Sequence, residues 1–290
     1  MGNPIICRSW LPYNCHIEIH EHDAKDGQVF RKLGYFLLLL HKNPESRHWE
    51  IDALRGVAVV MMIVYHLVFD LTLFGLYQTD VYGGWWKGLA RVTATLFILL
   101  AGVSLALSRA RSRHQANGWS LYAHYVVRGL KLIGWGMVVT LVTWGYTGRL
   151  VILFGILHCI GAATILAYPF LRWRWVTLAA GIGVIALDYL TSRFPASHLV
   201  PQLLGLQPLA RPQMDYFPLV PWFGVVLLGV LGGQLLYPGG APRLDLPNLT
   251  KRAGAKELIW LGRHSLLIYL LHQPCLIAII TLINFFIQAS

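Results

Sequence analysis

His66 and Asp70 stand four residues apart in MMIVYHLVFDL, residues 61–71. On a helix that spacing puts both on one face. The other nine residues suit lipid, where an ionisable side chain is costly and usually marks a site of chemistry or transport. A carboxylate that accepts one imidazole N–H fixes the tautomer and leaves the second ring nitrogen as a base. The spacing therefore predicts a His66–Asp70 dyad within hydrogen-bonding reach, directly or through a water. The bland alternative is an Asp70 solvated near the membrane surface.

Two further histidines stand in apolar text, His158 in FGILHC and His272 in LLHQP, the latter followed by Gln273. At 1.5 Å per residue, His66 lies roughly 16 Å beyond Arg55, about the middle of a hydrocarbon core. His158, counted from Arg149 in the opposite direction, and His272, counted from Arg263, each lie roughly 13 Å in. The expectation is one inward-facing layer of His66, His158 and His272. DYFPLVPWFG adds Asp215 and Trp222 beside Pro218 and Pro221. Proline disfavours a regular helix interior, so a wedge-like helix start is expected; Asp215 and Trp222 are candidates for the outer mouth of a cavity, the default on composition being a plain helix start with Trp222 in the interfacial aromatic belt. Asp52 and Arg55, three apart, read as an ion pair at the start of the first helix that could also hydrogen-bond a ligand.

These groups need elements to hold them. The 290 residues are 56% hydrophobic and 13% charged, with mean hydropathy +0.55. A soluble domain carries about 25% charged residues, so the composition points to an all-α, polytopic transmembrane helix bundle. Apolar runs near 56–77, 89–108, 131–147, 150–171, 175–191, 217–237 and 264–287 predict about seven spans. The net charge of +11 comes mainly from Lys and Arg between those runs, in every second connection. That is the positive-inside pattern; it predicts a cytoplasmic N-terminus and argues against nucleic acid as a partner. Residues 1–46 read as a poorly ordered polar tail, and 47–290 as the membrane domain. Within the tail, Cys7, Cys15, His16, His20 and His22 match no common zinc spacing, so no metal site is expected. Neither a signal peptide, a disulfide framework, a P-loop nor an internal repeat is legible.

RHWEIDALRGVAVVMMIVYHLVFDL, FILLAGVSLALS, FGILHCIG, DYFPLVPWFGVVLLG and LGRHSLLIYLLHQP occur in that order between Arg47 and Pro274. Together they resemble the bacterial membrane branch of the heparan-alpha-glucosaminide N-acetyltransferase catalytic-domain family, within a wider superfamily of transmembrane acyltransferases. The resemblance implies transfer of an acetyl group from cytoplasmic acetyl-CoA to a sugar amine or hydroxyl, here an envelope glycan or glycolipid at a bacterial inner membrane. It maps the superfamily's proposed catalytic histidine onto His66. It also implies that Arg109, Arg111, Arg113, Arg263 and His264 contact the CoA phosphates, although the positive-inside pattern alone would place cations there. One departure is that no histidine stands between His66 and His114, where the lysosomal branch is associated with one. The rival reading is a proton-coupled transporter or flippase using the same histidines, but no inverted repeat supports it. The resemblance leaves the oligomeric state open.

Overall fold

The computed structural model describes residues 48–112, 118–147, 152–191, 215–244, 247–250 and 252–289. The N-terminal tail, with its histidines and cysteines, and Arg113 lie outside the described residues. Among the described residues eight α-helices occur, in order: α1 Trp49–Leu73, α2 Gly84–Arg111, α3 Gly118–Thr147, α4 Ile156–Leu166, α5 Arg174–Thr191, α6 Leu219–Leu236, α7 Ala255–Arg263 and α8 Ser265–Ala289. Short 3-10 turns follow α4 (Tyr168–Leu171) and α6 (Pro238–Gly240), and no strand occurs among the described residues. In lipid no water satisfies peptide groups, so helices that bond their own backbone are the natural outcome of such apolar runs. Five of them, α1, α2, α3, α6 and α8, are long and apolar enough to cross a membrane. The protein is therefore an integral membrane helix bundle.

Each of the seven apolar runs carries a helix, but among the described residues α4 and α5 are not in the set long and apolar enough to span, and one further helix was not expected. The run at 150–171 yields only the 11-residue α4 and a 3-10 turn, about 16 Å of α-helix and too short to span alone. Its Pro169 sits in the 3-10 turn, where a missing N–H costs little. The segment AKELIWLGR becomes α7, which no apolar run announced. Its apolar residues are too few for a span, and Ile259 and Gly262 are buried against α1.

Close backbone approach at glycine organises the packing. A Cβ on Gly102 of α2 would collide with the backbone of Val226 and Val230 on α6, and one on Gly229 would collide with the Leu99 carbonyl of α2. Similar contacts join α3 to α4 (Gly129 and Gly161), α5 to α6 (Gly181 and Gly224) and α1 to α7 (Gly56 and Gly262). Lipid tails give helices no hydrophobic reason to associate, so tight van der Waals contact through small residues does that work. Around the α2–α6 crossing lies the core of Ile98, Leu105, Tyr125, Ala163, Val226, Leu227 and Val230. By contrast, α3 and α8 leave Leu141, Val142, Leu267, Leu271, Ile279 and Phe285 exposed, as lipid-facing surfaces should. Arg109, Arg111, Arg172, Arg174, Arg243 and Arg263 stand at helix or turn termini or just beyond them, and Arg55 in the second turn of α1. Contacts of Arg55 with Ser104, His48 with Gly240 and Gln234 with Leu171 tie these termini into one basic end.

Two measurements check this architecture. Gly229→Ala should cost about 1–3 kcal/mol of stability through overpacking, whereas Gly232→Ala, which meets no atom within 4 Å, should be neutral or better; equal melting temperatures in nanodiscs would refute the crossing. With Cys7, Cys15 and Cys275 replaced by Ser, Tyr82→Cys should react with an impermeant maleimide from outside intact cells and Ala253→Cys only after permeabilisation. The reverse pattern would invert the expected orientation.

Candidate functional site

The polar groups in the middle of the bundle belong chiefly to α1 and α8. His66 and His272 face one another across that contact, with ring centroids 4.8 Å apart and His272 Nε2 3.3 Å from His66 Nδ1. His272 Nδ1 lies 2.8 Å from the Tyr269 carbonyl and 3.2 Å from that of Ile268, so the neutral ring carries its proton on Nδ1 and donates it to the backbone. Its Nε2 is then an acceptor. His66 Nδ1 lies between that acceptor and the Met62 carbonyl at 2.9 Å, so the neutral His66 also carries its proton on Nδ1. The tautomer follows: His66 Nε2 holds a lone pair and has no hydrogen-bond partner among the described residues. Pro274, one turn-position beyond Gln273, lacks the N–H that would bond the carbonyl of residue 270, which loosens α8 where His272 is held.

Asp70 is fully buried, 0% exposed, and its Oδ1 accepts the Gln273 amide at 3.1 Å. The predicted direct contact between His66 and Asp70 is not among the hydrogen bonds of either side chain. Instead the i, i+4 pair on α1 meets the adjacent pair His272–Gln273 on α8, imidazole to imidazole and carboxylate to amide. Asp70 Oδ2 and Gln273 Oε1 remain buried without a donor. Two acceptors without donors therefore stand on the two helices that also carry the His66–His272 pair, and buried acceptors are costly to leave unpaired.

Asp215 adjoins this group. The Tyr269 hydroxyl donates to Asp215 Oδ2 at 3.4 Å, the backbone N–H of Ile156 also bonds the carboxylate, and the Tyr269 ring lies 5.9 Å from that of His272. Gly155 leaves room there: a Cβ would stand 2.9 Å from Asp215 Oδ2. Trp222 is turned to the core, packed on Phe217 at 5.1 Å. Val220, just before Pro221, breaks the helical backbone at the start of α6. Tyr269 and Tyr65, whose ring lies 5.5 Å from His66, were not singled out from sequence. The legible signal for Tyr269 was its place three residues before His272, on the same helix face.

The third histidine is held on α4 by other partners, and its Nε2 is buried without a partner among the described residues. His158 Nδ1 accepts the Gly155 N–H at 3.3 Å and its ring lies over Gly136 of α3, where a Cβ would come within 2.8 Å. It satisfies an orphan donor at the start of α4, and no contact links it to His66 or His272 among the described residues. The basic end is also more structured than a plain cation cluster. Asp52 lies 3.6 Å from Arg55 and 3.3 Å from Arg263, while Arg55 donates to Ser104 of α2. His264 bonds the Trp260 carbonyl at 2.8 Å and packs against that indole. Arg263 and His264 are thus engaged within α1 and α7, whereas Arg109, near the end of α2, lines a cleft with Arg172 and Arg174.

No curated protein and no solved structure matches the chain significantly. A known family does, over residues 47–274, and its description is heparan-alpha-glucosaminide N-acetyltransferase, catalytic. That match covers most of the chain, from the first turn of α1 to Pro274 beside the paired histidine and glutamine, so the protein belongs to the heparan-alpha-glucosaminide N-acetyltransferase catalytic-domain family of membrane acyltransferases.

Proposed function

We propose that the protein transfers an acetyl group from acetyl-CoA, entering from the basic, cytoplasmic end, to an amine or hydroxyl of an envelope glycan or glycolipid, with His66 as general base. The observation that carries this reading is the His66–His272 contact, which leaves His66 Nε2 unprotonated and unpartnered at the bundle's polar centre. Family membership supplies the reaction class.

The chemistry follows from that nitrogen. His66 Nε2 accepts the proton of the sugar N–H or O–H as the nitrogen or oxygen attacks the thioester carbonyl. The C–S bond of the tetrahedral intermediate then breaks, and the departing CoA thiolate takes the proton. Positive charge that develops on His66 is shared through Nδ1 with Met62 O and His272 Nε2, so the donor network strengthens as the ring becomes imidazolium. Asp70 Oδ2 and Gln273 Oε1, which lack donors, offer two acceptors for the remaining hydrogens of a sugar. Asp215, held by Tyr269, is a third polar wall. The apolar residues around these groups exclude water, which favours transfer over hydrolysis.

Purified protein in lipid nanodiscs, given labelled acetyl-CoA and glucosamine-bearing acceptors, provides the test. Folded His66→Ala should lose acetyl transfer by about 10²-fold or more, the usual scale for a general base. His272→Ala should lose less, because Met62 O still receives His66 Nδ1–H. Gln273→Leu should raise KM for the acceptor more than it lowers kcat. His158→Ala should appear chiefly as a lower melting temperature. Undiminished turnover in folded His66→Ala would remove His66 from the mechanism.

A further inference from the structure

A cleft of about 740 Å³ opens at the basic end, well away from the α1–α8 contact. Its walls come from the end of α2, the 3-10 turn after α4, the first turn of α5 and the last turn of α6. Arg109, Arg172 and Arg174 line it with Trp173, Trp175 and Gln234. The Arg172 guanidinium lies 5.2 Å from the centre of the Trp173 ring, and that of Arg174 lies 5.6 Å from the centre of Trp175. None of the three arginines makes an ion pair with a carboxylate among the described residues. Three uncompensated cations around one cleft repel one another, and a polyanion would relieve that. The N-terminal end of the α5 dipole adds to the positive field.

Gln234 carries a second, independent signal. Its Nε2 donates to the Leu171 carbonyl at 3.1 Å, which fixes the amide, and its Oε1 is left buried without a donor. The cleft therefore combines phosphate-binding cations, exposed indole faces (Trp173 is 57% and Trp175 70% exposed) and an acceptor seeking an N–H. Planar guanidinium and indole groups stack on a heteroaromatic base, and guanidinium also binds phosphate bidentately. An inorganic phosphate would leave the indoles and Gln234 unused, and a phosphatidylglycerol headgroup, though indoles suit the interface, would bring no N–H to Gln234.

We propose that this cleft binds the phosphorylated adenosine diphosphate end of the acyl-CoA donor, with Arg109, Arg172 and Arg174 on the phosphates, Trp173 or Trp175 on the purine and Gln234 Oε1 on its exocyclic amine. The identity of the donor rests on the acetyltransferase reading above; the nucleotide site does not. Depth agrees with it. Ser104 of α2 is level with Arg55, so Arg109 lies roughly 24 Å along the bundle axis from His66. A nucleotide in the cleft can deliver a thioester to His66 only through a long flexible arm, which is what joins the two ends of CoA.

Calorimetric titration of the full chain in phosphatidylcholine nanodiscs, without acceptor, separates the alternatives. CoA and adenosine 3′,5′-bisphosphate should bind, and bind more weakly as salt rises. Arg172→Ala and Arg174→Ala, both at exposed positions, should each weaken CoA at least tenfold with unchanged melting temperature. Gln234→Leu should weaken the adenosine bisphosphate but leave pyrophosphate unaffected, while Arg252→Ala should change nothing. The same titration in a His66→Ala background should give wild-type affinity, so failure of the base and failure of the cleft are read separately. CoA affinity within twofold of wild type in the two arginine variants would overturn the proposal. Pyrophosphate binding as tightly as CoA, or competition by phosphatidylglycerol added to the nanodiscs, would overturn it too, by showing an anion or lipid site.

Discussion

The bundle depends on helix backbones meeting at glycine. In a soluble core, water drives apolar faces together; in hydrocarbon that drive is absent, and contact distance decides which helices stay paired. Gly102 and Gly229 let α2 and α6 touch at the backbone, Gly129 and Gly161 do so for α3 and α4, and Gly181 and Gly224 for α5 and α6. Each crossing fixes which face of a helix points inward. Polar side chains on those faces then sit where the crossings put them, which is how an apolar chain can hold imidazoles in defined positions.

α1 transmits this constraint to the chemistry. Its first turns carry Gly56, packed against the α7 backbone, and Asp52, held between Arg55 and Arg263. Arg55 reaches Ser104 and so ties the same helix to α2. Further along, α1 presents His66 and Asp70 to His272 and Gln273 of α8. The ion pairs at the basic end are therefore positioning contacts for the polar centre. They set the rotation and height of α1, and a change of one helical position would turn His66 away from His272.

The polar centre also shows why two histidines are more useful there than one. A single imidazole in hydrocarbon has no fixed tautomer unless something receives its N–H. Here the Met62 carbonyl receives the His66 Nδ1–H, and His272 Nε2, its own Nδ1 proton given to the α8 backbone, stands as a second acceptor, so the free nitrogen of His66 is defined and its charge can be shared. The carboxylate of Asp70 is spent on Gln273 instead. The cations stand at the far end of the bundle, so a donor with an anionic head and a distant reactive carbonyl matches the distribution of charge along the axis.

By itself, the sequence determined the membrane class, the helical runs, the basic end and the depth of the key residues. Those properties follow from hydrophobicity and from a constant rise per residue, both local. The depth argument brought His66 and His272 to one level, and the family match covers the blocks that contain them. Azimuth was not legible, because helices apolar on nearly all sides carry no strong periodic stripe to say which face is inside. For that reason His158 shared the expected depth yet faces Gly136, and Asp70 sought Gln273 rather than His66. The short α7 and the cleft of Arg109, Arg172, Arg174 and Gln234 were equally hidden, since their members lie far apart in the chain. Only the packing of helix on helix, set by where backbones can touch, decided which of the polar residues meet.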